Sequence, residues 1–76
     1  MGYKQKIQVI ASFNMKGDIA PLYIKINTFT FKIETYTLVL KQMDMYDYRC
    51  MVIDHDIRKE IRISFHARDC VWYLCD

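Results

Sequence analysis

Glycine occurs twice and proline once in 76 residues. That scarcity excludes a flexible linker, a low-complexity tract and a Gly-rich phosphate cradle. No internal repeat is present. No apolar run reaches the roughly eighteen residues that a membrane-spanning helix needs. Neither sign of charge dominates: 11 basic against 9 acidic side chains leave a formal charge of +2, too little by itself to imply a nucleic-acid or membrane partner. The three cysteines, Cys50, Cys70 and Cys75, are an odd number and none forms a C-x-x-C pair. They fit neither a disulfide framework nor a zinc ribbon, and a metal site with His55 and His66 is the remote alternative to free thiols in a reducing cytosol. Catalytic signatures are also missing: there is no G-x-S-x-G, no P-loop and no metal-spaced histidine pair. The expectation is therefore a protein that is not an enzyme, with no cofactor and no metal, and no small-molecule ligand is identified. The opening stretch "MGYKQKIQVI" lacks the apolar core of a signal peptide, and Met1-Gly2 lacks the downstream Ser or Thr of a myristoylation signal. The expected compartment is the cytoplasm.

What the chain has in abundance is β-forming sequence. Apolar residues make up 53% of it, eleven of them aromatic, which suffices for one core and leaves apolar surface over. A chain of this length forms one domain, 1–76, with a stability of a few kcal/mol. Alternation predicts six strands near 4–13, 19–27, 29–40, 46–53, 57–65 and 70–75. The fold class expected is all-β: six antiparallel strands in a strongly bent sheet or small SH3-like barrel.

Register follows from parity. In the first strand Ile7, Val9, Ala11 and Phe13 share a face. In the second, Leu22, Ile24 and Ile26 are expected inward, with Pro21, Tyr23 and Lys25 outward. Placing Val9 opposite Ile24 then requires a bulge or a longer loop around "NMKGD" (14–18), where Gly17 suits a positive φ. Pro21, without an N–H, marks a strand start or an edge. The third strand changes phase, from Phe29, Phe31 and Ile33 to Tyr36, Leu38 and Leu40, so a bulge is expected near Glu34–Thr35. A two-residue turn at His55-Asp56 opposes Tyr48 to Ile63 and Cys50 to Ile61. A turn at Arg68-Asp69 opposes Phe65 to Trp72 and Ile63 to Leu74. Cys70, Trp72 and Leu74 then point inward, while Arg58, Glu60, Arg62, Ser64, Val71, Tyr73 and Cys75 point out.

Two outward faces carry possible chemistry. Arg58, Arg62, His66, Tyr73 and Cys75 form the main candidate binding face, on which Arg62 would lower the pKa of the Cys75 thiol. Lys6, Tyr23, Lys25 and Lys32, with Lys4, form a second. Basic residues interleaved with an aromatic suit single-stranded nucleic acid, and Tyr with Arg equally suits a protein interface. The same charges also serve as plain solubilising groups on strand faces. Asp54-His55-Asp56 reads as a polar hairpin tip rather than an oriented histidine. Asp44 and Asp47 are too sparse for calcium.

Two resemblances follow from quoted stretches. "IQVIASFNMKGDIAPLYIKI" and "YRCMVIDHDIRKEIRISFHARDCVWYL" together resemble small single-domain β proteins of clostridial-type Gram-positive bacteria. That resemblance implies a bacterial cytosolic β domain and no particular activity. "IRISFHARDCVWYLCD" is similar to the core of WYL domains, Sm/SH3-like barrels that sense nucleic acid or nucleotide ligands, its specific piece being Trp72-Tyr73-Leu74. The expectation that results is a small binding module engaging a protein partner or its own copy. A barrel that binds single-stranded nucleic acid is the alternative, and a thiol-based redox role is the remote third.

Overall fold

Six strands run antiparallel in the computed structural model, which describes residues 3–75 and the side chains of 5–75. They are β1 (Tyr3–Phe13), β2 (Ile19–Ile26), β3 (Phe29–Lys41), β4 (Met45–Asp54), β5 (Ile57–His66) and β6 (Val71–Cys75). Each lies beside its neighbours in sequence, and β6 pairs with β1 to close a small barrel. All six strands read from the sequence are there, with only their ends displaced.

The barrel has two walls that share β1 and β3. β1 pairs with β6 through Tyr3–Ile7 and with β2 through Gln8–Phe13. β3 pairs with β2 through Phe29–Lys32 and with β4 from Ile33 to Lys41. Ile24, Cys50, Val52 and Ile63 are fully buried between the walls, with Ile19, Ile33, Tyr48, Phe65 and Trp72 around them. Each fully buried Ile or Val contributes about 1.5–3 kcal/mol of transfer free energy. The aromatic part of the core is continuous: the rings of Phe65 and Trp72 lie 4.8 Å apart, and Trp72 lies 5.9 Å from Tyr48.

The second half follows the expected register throughout. Tyr48 opposes Ile63, Cys50 opposes Ile61, Phe65 opposes Trp72 and Ile63 opposes Leu74. His55 and Asp56 both take positive φ (52° and 66°), the backbone of a tight hairpin turn whose twist matches the strands. In the first half Val9 does oppose Ile24, and a bulge does separate this register from the loop.

The position of that bulge corrects the inward set of β2. The loop 14–18 closes symmetrically on Phe13 and Ile19. Asn14 Oδ1 accepts from the N–H groups of Lys16 (2.8 Å) and Asp18 (2.9 Å), and Gly17 supplies φ 87°. The extra residue is therefore Leu22, which turns outward, and Pro21 becomes fully buried instead. Phe13 is mostly exposed, with its ring edge against Phe65 at 6.4 Å. β3 bulges at Glu34 as expected and again at Val39, so Leu40 opposes Asp47 on the outer surface rather than facing the core. Cys70 does not point inward: it occupies the last turn with φ 55° and is exposed, and its N–H donates to the Ala67 carbonyl (3.3 Å).

Candidate functional site

The outer surface of β4, β5 and β6 carries most of the first candidate face. Cross-strand pairing places Lys6, Tyr73, Ser64, Asp47 and Leu40 in one row across five strands. Two residues further along lies a second row, Thr37, Arg49 and Arg62. Tyr73 is half-buried, its ring 4.6 Å from that of His66. Cys75 is half-buried at the end of β6. Arg58 belongs elsewhere: eight residues along β5 from His66, about 26 Å at strand rise, it pairs with Glu34 at 3.3 Å. Lys6, assigned by sequence to the second face, stands opposite Tyr73 and joins the first.

Ser64 departs from expectation. Its parity is outward, yet it is fully buried, between its larger cross-strand neighbours Asp47 and Tyr73. Its Oγ, like Asp47 Oδ1, has no hydrogen-bond partner among the described residues. Arg49 escaped the sequence reading altogether. It is exposed directly opposite Arg62, and neither arginine reaches a carboxylate among the described residues. The turn at His55-Asp56 already implied that pairing, so extending it by one residue would have found it. Opposed like charges are mildly destabilising in a sheet.

The second face keeps only a short stripe. Tyr23 opposes Lys32, and Lys25 opposes Thr30 and Gln8, on the outer surface of the three-stranded wall. Met1-Gly2 and the side chain of Lys4 lie outside the described residues. His55 sits at the exposed tip of its hairpin, where its Nδ1 lies 2.8 Å from Asp54 Oδ1.

A third surface has no counterpart in the sequence reading. Because β2 and β3 pair only through residues 23–26 and 29–32, Ile19–Leu22 and Glu34–Lys41 diverge without a ladder between them. The seam holds a cleft of about 290 Å³, lined by Gly17, Asp18 and Ile19 on one bank and by Tyr36, Leu38, Lys41, Tyr46 and Tyr48 on the other. The Tyr48 hydroxyl reaches across it and donates to the Ile19 carbonyl at 3.3 Å. Tyr36 and Leu38 share the Tyr48 face, as expected from sequence, but remain 44% exposed because no strand covers them. The Lys41 amine lies 5.6 Å over the Tyr46 ring.

Burial pushes the Cys50 thiol up to about 12, leaving it protonated and inert. Burial, then the neighbouring Tyr36 and Tyr46 hydroxyls, push the Tyr48 phenol up to about 12. No group of three or more His, Cys, Asp or Glu side chains among the described residues is placed to hold a metal ion. No helix among the described residues is long and apolar enough to cross a membrane. No protein-family model, curated protein or solved structure matches the chain.

Proposed function

We propose that the protein is a small non-enzymatic binding module that engages a protein partner in the cytoplasm. One observation carries this reading. The second half of β3 presents Tyr36 and Leu38, each 44% exposed, in an open cleft rather than folded into the core, and past the bulge it exposes Val39 and Leu40 on the adjoining surface. Large apolar side chains clustered at one place on a small domain mark interaction surfaces, and tyrosine is enriched in them. The test is differential capture with the wild-type chain and a Leu38→Asp variant of matched thermal stability. A protein retained by the first and lost by the second supports the reading. Identical captures by both, or no capture by a chain that sediments as a monomer at high concentration, refute it. Self-association through this surface is the homotypic form of the same activity and would appear as a dimer that Leu38→Asp dissolves.

The opposed Arg49 and Arg62, with Lys6 and Tyr73 in the next row, favour a second reading: a barrel that binds single-stranded nucleic acid. Cations for phosphates beside a ring for stacking are the required parts. Electrophoretic shift with single-stranded DNA and RNA across a salt series decides it, since the phosphate contribution is greatest at low salt. No shift there removes the reading.

A further inference from the structure

The seam between β2 and β3 has two banks of different chemistry. On the β3 bank, residues 35–38 pair regularly with β4, between the bulges at Glu34 and Val39. Their opposite edge has no strand partner. In an antiparallel ladder alternate residues turn both N–H and C=O to the same side. Every second residue of Thr35–Leu38 therefore offers its donor and acceptor into the seam. The β2 bank cannot do the same. Pro21 has no N–H, and the Ile19 carbonyl already accepts from Tyr48. A newcomer finds a main-chain template on β3 alone.

Charge narrows the choice further. The Asp18 carboxylate accepts from Asn14 Nδ2 at 3.2 Å, so the acidic group of the cleft is held by its own loop. Lys41 stands at the far end over the Tyr46 ring and reaches no carboxylate among the described residues. Lys16, at the tip of the β1–β2 hairpin, is exposed close by in sequence to the Gly17–Ile19 bank. The cleft therefore carries a negative charge at its Asp18 end and a positive one at its Lys41 end. The bulges bound the template, and bulges also keep an exposed edge from pairing indiscriminately with other strands.

Resting on the protein-partner reading above, we infer that the open edge of β3 takes an extended segment of that partner as an added strand, through Thr35–Leu38. The segment is apolar at alternate positions, where it lies against Tyr36 and Leu38 in the cleft, and acidic at the end beside Lys41. Main-chain bonds to the edge supply affinity, and the cleft and Lys41 supply selectivity, as in other cases of strand addition.

The test uses the full chain to pan a phage-displayed library of random peptides, with the enriched peptides then synthesised and followed by NMR. The expected peptides alternate apolar and polar residues and carry Asp or Glu at one end. Their binding slows amide exchange at alternate positions of Thr35–Leu38 and shifts Tyr36 and Leu38. A Lys41→Glu variant, exposed and therefore expected to fold unchanged, weakens them about three- to tenfold, the scale of a reversed surface ion pair. Peptides that bind but leave the β3 amides unprotected overturn the seam while leaving the partner reading standing. No enriched peptide, from a chain that is also monomeric, removes both. Protection of the same amides in the absence of peptide, rising with protein concentration, overturns the inference in favour of a second copy of the chain.

Discussion

Replacing Tyr48 by Phe tests the seam with a single oxygen atom. The hydroxyl donates to the Ile19 carbonyl at 3.3 Å, and Tyr48 and Ile19 are only 3% and 8% exposed. Losing a hydrogen bond of this kind costs about 1 kcal/mol net, and the orphaned buried carbonyl raises the cost to about 1–3 kcal/mol. For a domain of this size that corresponds to a fall in Tm of roughly 4–8 °C per kcal/mol. The pH dependence makes the test specific. A phenol held at about 12 in the folded state, against 10 unfolded, contributes stability that is complete below pH 10 and is lost as pH rises toward 12. Cys50, raised from 9 to about 12, erodes stability from pH 9 upward in both proteins alike. Urea denaturation between pH 7 and pH 11 should therefore show the variant less stable at neutrality, with the gap closing above pH 10. Amide exchange in Ile19–Leu22 should rise in the variant. Two stability curves that stay parallel through pH 11 would falsify the buried, hydrogen-bonded phenol.

Three further outcomes follow from packing and turns. Trp72→Ala should cost about 3–5 kcal/mol and unfold most of the population, whereas Tyr73→Ala, on the half-buried outer side of the same strand, should leave a folded chain by circular dichroism. Leu22→Ser should shift the urea midpoint by less than about 0.5 kcal/mol equivalent, because the bulge turns Leu22 outward; a loss of about 2 kcal/mol or more would return it to the core. Changing His55-Asp56 to Asn-Gly should stabilise by about 0.5–1 kcal/mol, since both positions have positive φ, and a drop in Tm would exclude that turn geometry.

The legible parts of this fold were those in which a turn and the adjoining strands agreed. His55-Asp56 fixed two strands at once, and the apolar parity of β5 carried the register on into β6. The bulge at Glu34 was visible because the apolar phase changes there. The one at Val39 was not, because Leu38, Val39 and Leu40 are consecutive apolar residues and hide a change of phase. Leu22 was misplaced for a related reason: a bulge was needed, but Pro21-Leu22 gives no sign of which residue is the extra one. Cys70 was counted as strand when its backbone had already entered the turn. The cleft was hidden most deeply. Tyr36 and Leu38 have the pattern of core residues, and only the early divergence of β2 from β3 leaves them uncovered.

The pairing of β6 with β1 sets the order in which such a chain can assemble. Five of the six strand pairings join neighbours in sequence through short connections, and each can form as a local hairpin. The sixth brings Tyr3 against Cys75 and closes the longest loop of the six, the largest single closure cost. Closure therefore comes late, and until it occurs β1 and β6 are both bare edges in a sheet rich in Ile and Val. The five residues of β6, with Trp72 buried against Phe65 and Tyr48, thus act as a latch whose fastening removes two bare strand edges from the folding chain at once.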